Sequence, residues 1–259
     1  MCKDTYFCGM KNALIHFKPN IPSTNKLLLT MADNASLSGE AVAPFFALCT
    51  DFQSDGHGMG ANTWFSEPGK NLLVSFYFEP DIPAARQFIF NQYFALATLE
   101  FIRRRIPQAL VKWPNDIYVD GKKIAGILIE HVLRGNKLQH TIAGIGINVN
   151  QEHFPEDIPH PTSLLLETGQ EWDVAELMEE YWQTLYDRRN LCDITHADDL
   201  NMKYLSNLYL LNTFHHYRIH EKPTEAKITG VDEYGRLVLE TRTGERLVCG
   251  FKEIGFLLI

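Results

Sequence analysis

Residues Lys112 to Glu130, KWPNDIYVDGKKIAGILIE, run from a loop of polar groups through a tight turn into an apolar strand with a lysine inside it. Val111-Lys112-Trp113-Pro114 reads as a strand end stopped by proline, which has no N–H to continue a ladder. Asn115 and Asp116 then place an amide and a carboxylate just past the stop. Ile117-Tyr118-Val119 resumes an extended run, and Asp120-Gly121 predicts a two-residue type I′ turn with φ > 0 at both positions. The return strand, Lys123 to Glu130, brings Lys123 back beside Asn115 and Asp116. A cation, a carboxylate that can orient it and an amide converge there, next to Gly126, which lets a ligand approach the backbone.

Three other segments carry polar or glycine-rich runs within apolar surroundings. Ser23-Thr24-Asn25 precedes Lys26-Leu27-Leu28-Leu29 and predicts a capped helix start, whose orphan N–H groups suit a polar or anionic group. QSDGHGMGANTW, from Gln53 to Trp64, has glycines at alternate positions (Gly56, Gly58, Gly60) that neither helix nor strand requires. It reads either as a flexible loop or as a backbone cradle for carboxylate or phosphate oxygens. It lacks G-K-[ST] and does not open a helix in a βαβ unit, so it is neither a Walker A loop nor a Rossmann fingerprint. Ala143-Gly144-Ile145-Gly146-Ile147-Asn148 has two glycines inside a β-branched strand, which fits close approach of a ligand or tight sheet packing. Asn148 at its end carries an amide able to read the edge of adenine.

Several elements must position these groups. A helix is expected from Ser23 to about Ser36, a mostly buried strand over 41–53 and another at Leu72 to Phe78. A helix from Pro83 to Arg105, apolar nearly all round, should be buried. Arg103-Arg104-Arg105 at its end is read as complementing the carbonyl end of the helix dipole. Arg134-Gly135-Asn136 predicts a turn before a strand over Leu138 to Val149. Asp173 with Glu176 predicts a capped helix carrying Val174, Leu177, Tyr181 and Leu185 on one face, and a second helix should cover Ala197 to Tyr209. From about Tyr217 short strands broken by Gly230 and by turns at Tyr234-Gly235 and Thr243-Gly244 suggest a four-strand meander in a small β-barrel. The fold class is therefore α/β (α+β), a mixed sheet flanked by helices, with residues 1–212 as the larger domain and 213–259 as a small barrel.

The chain has 259 residues, 45% of them hydrophobic, and a formal net charge of −8. An acidic chain without a basic stripe is not expected to bind DNA. Five cysteines (Cys2, Cys8, Cys49, Cys192, Cys249), with no C-x-x-C pair, indicate neither a disulfide framework nor a zinc site and fit a reducing compartment. No apolar run is long enough for a membrane span, so a cytoplasmic protein is expected.

Taken in order, the S-T-N helix start, the Q-x-x-G-x-G-x-x-x-x-x-W loop, K-W-P-N-D followed by K-x-A-G, and G-x-G-x-N resemble the signature of the biotin protein ligases over most of Ile21 to Asn150. The likeness extends more weakly through Thr162-Ser163-Leu164, and the C-terminal region is similar to that family's SH3-like domain. The resemblance implies ATP-dependent activation of biotin as biotinyl-5′-AMP, with Mg²⁺ on the phosphates, then transfer to a lysine of a biotin carboxyl carrier protein. It assigns biotin to Ser23, Thr24, Asn25, Gln53, Gly126 and Gly144, with the loop residues Gly56, His57, Gly58 and Met59. Lys123 would contact the biotin carboxyl group and activated phosphate, and Asp116 would orient Lys123 or help deprotonate the incoming amine. Trp64, Asn115 and Asn148, with His57 and Met59, would serve the nucleotide; no protein metal ligand is implied.

About twenty residues precede Ser23, so the DNA-binding domain of some members is not expected. The family's loop commonly reads G-R-G-R, whereas this chain has His57 and Met59, which leaves Lys123 with more of the charge to carry. Two other readings are a lipoate or octanoyl protein ligase and a biotin sensor that has lost catalysis. An exposed strand edge could pair with a second copy, giving a homodimer, or with the acceptor.

Overall fold

All eight side chains of Asn71–Phe78 are buried, as expected for a central strand covered on both faces. The computed structural model describes residues 14–257, so Cys2 and Cys8 lie outside the described residues. In chain order its first half contains β1 (Ile15–Phe17), β2 (Asn20–Ile21), α1 (Thr24–Ser38), β3 (Ala47–Thr50), β4 (Phe52–Gln53), β5 (Asn71–Phe78) and α2 (Phe88–Arg103). Then come β6 (Leu110–Lys112), β7 (Asp116–Val119), β8 (Lys122–Arg134), β9 (Lys137–Asn148), α3 (Leu164–Thr168), α4 (Val174–Asp187) and α5 (Ala197–Ser206). The remainder is β10 (Phe214–Ile219), β11 (Lys222–Val231), β12 (Leu237–Thr241), β13 (Arg246–Cys249) and β14 (Ile254–Phe256).

Seven strands form one sheet in the order β1-β3-β5-β9-β8-β7-β6, mixed because β1 runs parallel to β3 while the other pairs are antiparallel. One face is covered by α2 and α4, with α5 packed on α2. Phe90, Phe94, Leu99, Phe101 and Ile102 of α2 are all buried, matching a helix apolar all round. The other face takes α1 through Leu28 and Ala32 packed on Leu48, Tyr77 and Ile142. The rest of that face is left for the site.

The second sheet has five antiparallel strands, in the order β13-β12-β11-β10-β14. The expected meander thus gains a fifth strand, which returns to pair with β10. Gly230 does not break β11; the strand runs through it with a bulge between Ile228 and Gly230, which a glycine absorbs without loss of pairing beyond. Trp113 Nε1 donates to the Gly235 carbonyl at 2.9 Å, and Tyr217, Ala226 and Leu239 join the same apolar cluster as α2, so the two sheets share a core.

Other differences also have local causes. Residues 41–46 are not strand, because Pro44 offers no N–H and Phe45 takes φ +64°, forming a turn closed by Phe46 N–H to the Ala43 carbonyl at 3.0 Å. The helix expected from Pro83 begins at Phe88 after a single 3-10 turn, Ala84–Arg86. The arginine trio is mostly a tether between elements rather than a dipole complement. Arg104 reaches Glu180 of α4 at 2.9 Å, Arg105 pairs with the same carboxylate, and Arg103 donates to the Ala109 carbonyl at 2.9 Å. Cys49, Cys192 and Cys249 are free thiols. No helix among the described residues is long and apolar enough to cross a membrane.

On β8, His131 packs edge-on to Phe90, with Nδ1 2.8 Å from Thr141 Oγ1, and burial lowers its pKa to about 4. Between about pH 6.5 and 4 the unfolded chain binds a proton there that the folded chain does not, so stability falls as pH drops through this window. Urea titrations should show wild type losing more stability between pH 7 and pH 5 than His131→Gln; equal losses would remove His131 from the account.

Candidate active site

The Asp120-Gly121 turn forms with φ +47° and +78°, the left-handed pair a type I′ hairpin needs. A bulge between Ile117 and Tyr118 offsets the register, so that Lys123 faces Tyr118 while Asp116 faces Gly126. That offset lets Lys123 Nζ meet Asp116 Oδ1 at 2.7 Å. The backbone of Lys123 is held from its other edge: its N–H donates to the His160 carbonyl at 2.7 Å and its carbonyl accepts from Thr162 N–H at 2.9 Å. Asn115 accepts from Ile127 N–H at 3.0 Å through its backbone, and its side-chain amide donates to the Ile127 carbonyl. The Trp113–Pro114 peptide is cis, and the buried Tyr204 hydroxyl donates to the Pro114 carbonyl at 2.8 Å.

The start of α1 supplies the opposite wall. Ser23 caps it, as its sequence predicts, accepting from Lys26 N–H. Thr24 donates to Gln53 Oε1 from its N–H at 2.8 Å and from its hydroxyl at 3.0 Å. Ser75 Oγ lies 2.6 Å from Thr24 Oγ1 and 2.5 Å from Asn25 Oδ1. Asn25 Nδ2 donates to Glu130 Oε2 at 2.7 Å. Ser23, Thr24, Asn25 and Ser75 are all buried, so this polar chain is satisfied internally. A Cβ at Gly144 would overlap the Asn25 amide, which explains the first strand glycine.

Trp64 explains the second. A Cβ at Gly146 would overlap its indole, and one at Gly126 would lie 3.0 Å from the same ring and 3.1 Å from Lys123 Nζ. The loop folds back on itself through Trp64 N–H to the Gly56 carbonyl at 2.9 Å and Gly58 N–H to the Asn62 carbonyl at 2.8 Å. His57 Nδ1 lies 2.5 Å from the Asp55 carbonyl and must donate to it, so in the neutral ring Nε2 is the acceptor facing Lys26 Nζ at 3.2 Å.

Two cavities result. One of about 220 Å³ is lined by Ser23, Thr24, Asn25, Gln53, His57, Gly58, Met59, Trp64, Asn115, Asp116, Lys123, Gly126 and Gly144, among others. The other, about 450 Å³, is lined by Asn148, Phe154, Asp157 and Pro161 and shares Trp64, Lys112, Asp116 and Lys123 with the first. Gly56 lines neither and acts through the loop's fold. Asn148 donates its amide to the Thr162 carbonyl at 2.9 Å on the second side. Sequence reasoning preferred Lys123 to Lys112, which stands in the same string and lines both cavities, and missed Ser75, a hydroxyl inside a mostly apolar strand. It also missed Phe251, which the second sheet brings to the first cavity and which no local pattern marks.

The Biotin/lipoate A/B protein ligase family matches residues 20–148. The bifunctional ligase/repressor BirA of Bacillus spizizenii is 30% identical over 229 residues, covering 86% of this chain and 68% of that protein. The chain belongs to this ligase family. It is also similar to the biotin–protein ligase of Schizosaccharomyces pombe, 34% identical over 128 residues, which cover 40% of this chain and 20% of that protein. Among solved structures, the biotin protein ligase of Aquifex aeolicus in complex with biotin and ATP superposes with a TM-score of 0.73. It is 26% identical, and the match covers 96% of this chain and 99% of that one. Within this ligase fold the four polar segments surround one cleft.

Gly144→Ala should force Asn25 away from Ser75 and Glu130 and destabilise the fold by about 1–3 kcal/mol, the usual range for overpacking a filled site. Chemical denaturation checks this; an unchanged midpoint would show that the amide moves freely.

Proposed function

We propose that this chain is an ATP-dependent ligase that activates biotin as biotinyl-5′-AMP and transfers it to a lysine of a biotin carboxyl carrier protein. The observation that carries this reading is the position of Lys123 and Asp116 where the two cavities meet. A reaction joining two small molecules needs its charged group at their junction. In this reading the smaller cavity takes biotin against Thr24, Asn25 and Gly144, and the larger takes the nucleotide beside Trp64 and Asn148.

In the first step a biotin carboxylate oxygen attacks the α-phosphorus of ATP. The bond from that phosphorus to the bridging oxygen breaks, and pyrophosphate leaves with the electron pair. Lys123 stabilises the negative charge gathering on the phosphoryl oxygens, a contribution that grows as the closed pocket excludes water. Next the acceptor amine attacks the acyl carbon, the carbon–oxygen bond to the phosphate breaks, and AMP departs. Asp116 orients Lys123 and is the carboxylate at hand to receive the amine proton. Asn115 acts mainly by fixing Ile127 and the strand behind Lys123.

No group of three or more His, Cys, Asp or Glu residues among the described residues could hold a metal ion by itself. Mg²⁺, which keeps several waters and binds phosphates readily, would fit as a companion of the triphosphate with Asp116 nearby, supplying charge neutralisation when bound.

Biotin-dependent ATP–pyrophosphate exchange tests the reading. Wild type should exchange with biotin and not with lipoate, and Lys123→Ala should lose roughly 100-fold or more while still folded. Exchange supported equally by lipoate, or wild-type rates in the Lys123 variant, would contradict it.

A further inference from the structure

The lysines lining the two cavities are Lys112 and Lys123, and no arginine among the described residues lines either one. Lys123 is paired with Asp116 at 2.7 Å, which offsets most of its charge. His57 faces the cavity as a ring donating to the Asp55 carbonyl, Met59 is uncharged, and Lys26 beside them is paired with Asp55 at 2.8 Å. Lys112 differs from all of these. The carboxylate opposite it in the ladder, Asp116, is the one already paired with Lys123, so two lysines share a single negative charge. Its Nζ stands instead 4.8 Å from the centroid of Tyr118 and 4.7 Å from that of Phe256, the latter on β14 of the second sheet.

Aromatic faces hold a cation in place without neutralising it. Burial pushes the Lys112 ammonium below its ordinary pKa, Lys123 adds to that push and Asp116 opposes it. A desolvated cation of this kind gains from a nearby anion, since the anion replaces the stabilisation that water no longer gives. Of the two ligands, the acyl substrate brings one negative charge and the triphosphate several. Lys112 also borders the larger cavity, beside Asp116 and Tyr118.

Resting on the ligase reading above, we propose that Lys112 binds the phosphate chain of the nucleotide, as the cavity lysine held by aromatic faces rather than by an ion pair, and that Phe256 holds it there. The second sheet thereby contributes to nucleotide binding through one ring, without itself touching the phosphates.

Kinetics of biotin-dependent exchange read this directly. Lys112→Met should raise the KM for ATP about tenfold or more, while the Kd for biotin alone, by calorimetry, stays within about twofold. Lys112→Arg should retain most of the ATP affinity, and Phe256→Leu should raise the KM for ATP about threefold, as loss of one cation–π contact predicts. In the wild-type protein, inorganic pyrophosphate should protect Lys112 from an amine-acylating reagent, mapped by mass spectrometry, and biotin alone should not; this arm stands even if the Met variant fails to fold. An unchanged KM for ATP in a folded Lys112→Met protein, or acylation of Lys112 indifferent to pyrophosphate, would overturn the role while leaving the ligase reading intact. Absence of exchange in wild type would overturn both.

Discussion

The pairing of Lys123 with Asp116 across a bulged hairpin is the constraint around which the rest of the site is arranged. A lysine on a strand can sweep a wide arc, and ordering it costs about 2 kcal/mol of side-chain entropy. Here the strand is fixed on both edges, by β7 on one side and by His160 and Thr162 on the other, before the side chain is fixed by the carboxylate. The charge is therefore placed in advance of any ligand, which is what electrostatic stabilisation of a transition state requires.

The surrounding glycines follow from that placement. Trp64 lies over Gly126 and Gly146, and Asn25 lies over Gly144, so two strands are stripped of side chains where large groups from other elements must cross them. The apolar face beneath, built on α2, lets this polar face be irregular. Phe90, Phe94 and Phe101 anchor the sheet from behind, and the wall carrying Thr24, Asn25 and Ser75 need only satisfy itself internally.

Much of this was legible in the residues, because the governing signals were local. Asp120-Gly121 specifies its turn through φ, Ser23 and Asp173 cap their helices as their types predict, and the glycine alternation at Gly144 and Gly146 marks close approach. What could not be read depends on contacts distant in sequence. The grip of His160 and Thr162 on Lys123 spans dozens of residues with no periodic pattern, and the seating of Lys112 between Tyr118 and Phe256 needs the second sheet in place. Lys123 and Asp116, which the hairpin is expected to bring together, pair at 2.7 Å, because both sit on strands that the local turn joins. The strand expected over 41–53 starts only at Ala47 for a local reason, the turn at Pro44-Phe45, which apolar content concealed.

The central claim is that Lys123 and Asp116 act as one unit, and a double-mutant cycle addresses it most directly. Biotin-dependent exchange would be measured for Lys123→Met, Asp116→Asn and the two combined. Coupled action predicts that the double variant is no slower than Lys123→Met alone, a coupling of at least about 1 kcal/mol. Losses that simply add would contradict it, leaving two neighbours that serve the reaction independently.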